Sequence, residues 1–296
     1  MDHPFRFGVN LLTPAASDQW RHKCRAAEAL GYDVISVADH LGMPAPFPAL
    51  VAAAEATERV RLGTFTLNAG FWNPTLLARE VATADQLTGG RLELGLGAGY
   101  VKAEHDAAGL PFAAPGERVS HLKHTIEELD RLYGSAEFQP QPLQRPRPPL
   151  LIGGNGDRVL KLTARHAQIA AFSGAGVDPK DPSGMPRALT AAQVAERVAA
   201  YQGFAADRAE PAELNILVSL VIVTDDRRAA LRPSLRNVPH LTEDEALELP
   251  GLLAGTVKQI AEQVRAQRER FGFTYITVLE PAMEAFASVI EELRGE

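Results

Sequence analysis

Strand-like runs rich in β-branched and aliphatic residues begin near residues 5, 33, 61 and 91, and each is followed by a helix-like segment before the next begins. This repeat of about 28 to 30 residues is the mark of right-handed βα units. Consecutive strands must then run the same way, so the sheet is parallel, and eight such units close it into a barrel. A chain of 296 residues has room for them, because such barrels run to roughly 250 residues or more without splitting. The expected fold class is therefore α/β: a (β/α)8 (TIM) barrel over residues 1–296, one domain, with an insertion after strand six.

The segments place as follows. Strand one is Phe5–Val9, and its helix starts near Ser17-Asp18, buries Trp20, Cys24 and Ala27, and stops at Gly31. Strand two is Val34–Val37 and helix two covers about Phe47–Glu58. Strand three, Val60–Leu67, ends in a small, polar tip. Asn73 then caps a helix with Pro74 at its first position and Leu76, Leu77, Val81, Ala84 and Leu87 on one face. Strand four is Leu92–Leu96. A longer connection, Val101–Pro115, precedes a helix carrying Val119, Leu122, Ile126, Leu129 and Leu132. Five prolines between Gln139 and Pro149 rule out helix there and give an extended lead to strand five, Leu150–Ile152. Strand six is Gln168–Phe172. Gly174–Arg187 reads as an insertion able to cover a site. Capping boxes at Thr190 and Thr256 open two later helices. Leu214–Val223 and Thr274–Leu279 supply strands seven and eight, and a last helix covers about Ala282–Leu293.

Net charge is −7, with no basic tract interleaved with aromatics, which argues against nucleic acid. The single cysteine, Cys24, lies on an apolar helical face, so no internal disulfide can form and a cytoplasmic setting is expected. No stretch approaches the roughly 20 apolar residues of a membrane span, and no leader-like segment precedes the first strand.

Ligands of a parallel barrel sit where strands end. At the end of strand two stand Asp39 and His40, a histidine able to hold a proton near neutral pH and a carboxylate able to orient it. Strand four opens into Gly97-Ala98-Gly99, where backbone without side chains permits close approach. Gly153-Gly154-Asn155-Gly156 follows strand five and opens a helix whose N–H groups can cradle a phosphate. Ser173 and Gly174, after strand six, can close the same pocket. Neither glycine run is a Walker motif or GxGxxG. His121 and His124 lack an evident third metal ligand and read as an exposed helix face. Arg165-His166 suits a helix C-terminus, and Arg227-Arg228 a solvated helix start or a docking point for an anionic tail.

The run NPTLLAREVATADQLTGGRLELGLGAGY at 73–100 resembles the signature of the bacterial luciferase-like flavin and deazaflavin oxidoreductases. ISVADH at 35–40, PPLLIGGNGDRVLKLTARHA at 148–167 and GTVKQIAEQVRAQRERFGFTYITV at 255–278 extend the likeness over nearly the whole chain. The branch it most resembles uses the 8-hydroxy-5-deazaflavin coenzyme F420. The resemblance implies a (β/α)8 barrel, a homodimer, and a tricyclic ring lying across the mouth. His40 would be the catalytic residue over the ring's reactive part, with Asp39 its structural partner. The strand-three tip, Phe65, Thr66 and Asn68, would support one ring face, with a non-proline cis peptide near Phe65–Thr66. Gly97–Gly99 would approach the ring, and Gly153–Gly156 with Ser173 and Gly174 would take the phosphate.

The sugar-phosphate dehydrogenase branch has a glutamate at Tyr100, a lysine at Ala175 and a tryptophan near Leu41-Gly42-Met43. Glucose 6-phosphate is therefore not the expected substrate; Tyr100 could still serve as a weak acid or donor, with Glu104 close behind it, but both read first as a solvated loop. The expected activity is hydride transfer between F420 and a small organic substrate. The alternatives are an FMN-dependent monooxygenase and a non-catalytic flavin-binding barrel. No strand end offers a metal-ligand cluster or a lysine placed for a Schiff base.

Overall fold

The computed structural model describes residues 4–177, 186–236, 238 and 240–296. The first half alternates as the spacing predicts: β1 (Arg6–Leu11), α1 (Ser17–Ala29), β2 (Val34–Val37), α2 (Pro46–Ala56), β3 (Arg61–Thr64), β4 (Leu67–Asn68), α3 (Pro74–Leu87) and β5 (Leu92–Gly97). Then come α4 (Lys102–Ala108), α5 (Pro115–Tyr133), β6 (Leu150–Gly153), α6 (Asp157–His166), β7 (Ile169–Phe172), β8 (Ala175–Val177), β9 (Pro186–Ala188) and α7 (Ala191–Phe204). The chain ends with β10 (Glu213–Val218), β11 (Leu220–Val223), α8 (Arg227–Leu235), α9 (Glu243–Leu247), β12 (Leu252–Gly255), α10 (Val257–Phe271), β13 (Phe273–Leu279) and α11 (Met283–Glu292).

The main sheet runs β3-β2-β1-β13-β10-β7-β6-β5-β4, and β3 also pairs with β5. Since β3 and β4 are two pieces of one stave, eight parallel staves close the barrel. Strand three is thus interrupted, where an unbroken run to Leu67 was expected. Its ladder is replaced locally by a side chain: the Thr64 hydroxyl accepts from Gly95 N and donates to Gly95 O, both at 2.8 Å. Phe65–Thr66 is a cis peptide, at the expected position.

Strand seven also differs. It stops at Val218, where Ser219 N donates to Gly251 O at 2.9 Å, and β11 turns away to form a separate parallel pair with β12. Neither β12 nor the helices α4 and α9 were anticipated, whereas α8 begins at Arg227, where a solvated helix start was expected. The ends of the insertion Gly174–Arg187 form the antiparallel pair β8–β9, and residues 178–185 lie outside the described residues.

On α3, Leu77, Val81 and Ala84 are buried as expected, whereas Leu76 and Leu87 are exposed, because the inward stripe follows 77, 81 and 84. Asn73 caps this helix through Thr75 N and Leu76 N, with Pro74 at its start. The core between sheet and helices is aliphatic, and Cys24 within it is fully buried. Inside the barrel, Val34, Leu151, Ile169, Ala171 and Tyr275 pack together with Phe65 against them. Below them Arg6 reaches Glu93 (2.6 Å) and Glu213 (2.5 Å), and Arg61 also reaches Glu93 (2.6 Å). The charged N-terminal end is therefore closed, and the opposite mouth is where a ligand can enter. No helix among the described residues is long and apolar enough to cross a membrane.

Candidate cofactor and active site

His40 follows β2 at the mouth. Its Nδ1 lies 2.9 and 3.1 Å from the two carboxylate oxygens of Glu104. A carboxylate accepts, so Nδ1 carries the proton in this contact and Nε2 is left for a ligand. Tyr100 sits edge-on to the imidazole with centroids 6.2 Å apart, and burial, then Glu104, push its phenol above the usual range.

Glu104 is a residue that sequence reasoning missed. It lies in the first turn of α4, and the signal for that short helix was present: Lys102 pairs with Asp106 at i,i+4, and Gly109 ends it with φ +66°. The solvated-loop reading therefore holds for Tyr100, which is exposed, but not for Glu104, whose side chain is only 16% exposed.

Asp39 does not orient His40. Its carboxylate accepts instead from Trp72 Nε1 at 3.0 Å and Asn68 N at 3.2 Å, tying β2 to the strand-three tip. Consecutive residues of extended chain point to opposite sides, so the two neighbours diverge. Burial raises the Asp39 carboxyl above its ordinary range, opposed by those two hydrogen bonds.

The glycines after strand four receive the strand-three tip. A Cβ at Gly97 would lie 2.7 Å from Thr66 Oγ1, and one at Gly99 would lie 2.1 Å from Asn68 Oδ1. A Cβ at Gly153 would come to 3.3 Å from the Thr66 methyl, so Thr66 joins the ends of β5 and β6. Asn68 is itself held: its Oδ1 accepts from Gly70 N at 3.0 Å, and its Nδ2 donates to His105 Nε2 at 2.9 Å. His105, 1% exposed, donates from Nδ1 to Pro111 O at 2.9 Å, which fixes it as a neutral tautomer. The space these glycines leave thus admits the chain's own tip before any ligand.

The run Gly153-Gly154-Asn155-Gly156 opens α6, whose first N–H groups have no partner within the helix. Gly154 N is taken by Ala171 O at 3.3 Å, but a Cβ at Gly156 would meet nothing within 4 Å. Asn155 Nδ2 donates to Ala175 O at 2.5 Å, while its Oδ1 is buried without a partner among the described residues. Ser173 Oγ is 3.3 Å from the same Ala175 O and accepts from Ala175 N at 3.4 Å, so it is occupied in a local turn with Gly174 at φ +63°. The structure thus forms two clusters, one around His40, Glu104 and the strand-three tip, the other around Asn155 and Ser173, with Thr66 between them.

A cleft of about 440 Å³ opens beside His40, walled by Met43, Phe47 and Trp72 and rimmed by Glu80. Elsewhere, His121 Nε2 donates to Ala69 O at 3.0 Å, and no group of three metal-ligating side chains occurs among the described residues. Arg228 pairs with Glu243 and Asp244, and Arg227 donates to Leu247 O.

Residues 3–242 match the family described as luciferase-like monooxygenase. The oxygenase component of flavin-dependent trigonelline monooxygenase from Acinetobacter baylyi is 32% identical over 50% of this chain, a match spanning about half of that protein (48%). The 5,10-methylenetetrahydromethanopterin reductase of Methanopyrus kandleri is 25% identical over 95% of this chain and 84% of its own length. The solved F420-dependent secondary alcohol dehydrogenase superposes with a TM-score of 0.78 at 16% identity, covering 99% of this chain and 100% of that one, and supports the barrel fold. The chain belongs to the luciferase-like monooxygenase family, whose members are F420- or flavin-dependent oxidoreductases and monooxygenases.

Proposed function

We propose that this chain is an F420-dependent oxidoreductase that transfers a hydride between the deazaflavin and a small organic substrate. The observation that carries the reading is the His40–Glu104 pair at the mouth, beside the cis Phe65–Thr66 tip. The near-full-length likeness to the methanopterin reductase of Methanopyrus kandleri, an enzyme whose solved structure is described as coenzyme F420-dependent, supports F420 over FMN.

The residues suit such a group. The strand-three tip and Gly97–Gly99 form one supporting face, and Ala98 lies between those glycines. The buried, unpartnered Asn155 Oδ1 is an acceptor that a hydroxyl of the cofactor side chain would satisfy. The open Gly156 and the free N–H groups of α6 suit the phosphate. When bound, F420 supplies or accepts a hydride at ring carbon C5 and does not readily activate oxygen. Glu104 holds His40 with Nδ1 protonated, so Nε2 faces the substrate and moves a proton to or from the oxygen of a carbonyl–alcohol pair. Phe47 and Trp72 give the cleft beside this histidine an apolar wall.

The reading includes one barrel domain over residues 1–296, from the βα spacing, a cytoplasmic setting, from the single cysteine, and a homodimer, from resemblance alone. The test is turnover of chemically reduced F420 with a panel of small ketones, followed by return of the oxidised deazaflavin absorbance. Turnover lost in His40→Ala supports it, and turnover of reduced FMN with oxygen alone favours the monooxygenase reading instead. The carboxylate at His40 counts against a non-catalytic barrel.

A further inference from the structure

The helices α5 and α6 leave a crevice of about 180 Å³ between them, lined by Lys123, Arg158 and Lys161 over an apolar floor of Val119 and Leu162. In a chain of net charge −7 this is a local concentration of positive charge. Two of its three cations have no carboxylate partner among the described residues. Arg158 donates only to Gly116 O and Ser120 Oγ, each at 3.0 Å, and Lys161 lies 5.0 Å from the centre of the Phe204 ring. Lys123 is 3.5 Å from Glu127, both half-exposed, and Asp157 at the start of α6 is neutralised by Arg197 at 2.8 Å. The crevice therefore keeps a net positive charge.

Its position gives it meaning. Arg158 is the second residue of α6, directly after Gly153–Gly156, and Lys161 follows about one turn further on, roughly 6 Å along the axis from Asp157. A ligand whose phosphate rests on the N–H groups of α6 and which continues beyond it enters this crevice. FMN ends at its phosphate. A deazaflavin carrying a phosphodiester and a γ-linked glutamate chain does not. We propose that the α5–α6 crevice binds the anionic glutamyl tail of the cofactor, with Arg158 and Lys161 facing its carboxylates and Val119 and Leu162 its methylenes. This rests on the F420 reading above and adds to it a subsite that selects against FMN.

The test compares binding, by quenching of ring fluorescence, of three ligands: the deazaflavin without phosphate, the same with phosphate but no glutamates, and the form with a long glutamate tail. At low salt the tailed form binds about tenfold more tightly than the tail-less phosphate form, the worth of two surface ion pairs, and the gap closes at high salt. The double substitution Arg158→Gln with Lys161→Gln removes the gap while leaving the tail-less form unchanged. Both side chains are exposed, and Lys161→Glu alone provides a second variant that weakens only the tailed form. Equal affinity with and without the tail, or a gap that survives both variants, overturns the proposal. Should no deazaflavin bind, the F420 reading fails. In that case oligo-γ-glutamate alone, read by the methyl resonances of Val119 and Leu162, decides the crevice: shifts that vanish in the double variant sustain it, and no shifts reject it.

Discussion

Replacing Glu104 by alanine removes the partner of His40 Nδ1 without touching a face that a ligand would contact. A hydrogen bond to a charged group contributes about 1.5–3 kcal/mol. Here the side chains of His40 and Glu104 are 29% and 16% exposed, so solvent screening places this one in the lower part of that range, about 1.5–2 kcal/mol. If that energy serves to hold the imidazole in its productive tautomer and orientation, kcat falls about 10- to 30-fold. KM for the organic substrate and binding of the cofactor stay nearly unchanged. Glu104→Gln, which keeps an acceptor but loses the charge, should fall between wild type and alanine. The decisive assay is a cycle of His40→Ala, Glu104→Ala and the double variant. A carboxylate acting through His40 has no further effect once His40 is gone. Additive losses would refute the reasoning, as would ¹⁵N shifts showing an unchanged Nδ1-protonated His40 in Glu104→Ala.

Other consequences follow from the same contacts. Gly99→Ala puts a methyl where Asn68 Oδ1 lies, at a left-handed φ of +71°, and breaks the bond from Asn68 to the Nε2 of buried His105. The cost is about 2–5 kcal/mol in urea unfolding, about 1–2 from the backbone and about 1–3 from the broken contact, and a loss below about 1 kcal/mol would contradict the packing described. Asp39, raised by burial, binds its proton more tightly in the folded than in the unfolded chain. Its contribution therefore lowers stability as pH rises from the ordinary carboxylate value of about 3.9 through its folded value, and the full penalty is present at neutral pH. The stability difference between wild type and Asp39→Asn should move against wild type over that window, and a difference that is flat with pH would dismiss the assignment.

The barrel was legible because a periodicity of βα units leaves a parallel sheet few ways to close. Capping boxes at Thr190 and Thr256 and the Asn73-Pro74 helix start were legible because those contacts are local. The cis Phe65–Thr66 bond was anticipated through family likeness alone, since nothing in the run GTFTLN demands it. The partner of His40 was not anticipated. Asp39 is adjacent in sequence but is claimed by Trp72 and Asn68, while Glu104 is 64 residues away and arrives only when two strand ends and a seven-residue helix meet. Similarly, the apolar run Leu214–Val223 reads as one strand. Its division depends on Gly251 O capturing Ser219, a contact that strand propensity does not encode.

The most direct test of the account is a fluorescence titration of the purified apo-protein with F420 and, separately, with FMN. An F420-dependent barrel binds F420 saturably, at micromolar concentration or tighter, and FMN far more weakly. Tight binding of FMN with F420 ignored would contradict this reading and move the chain to the oxygen-using flavin enzymes of its family.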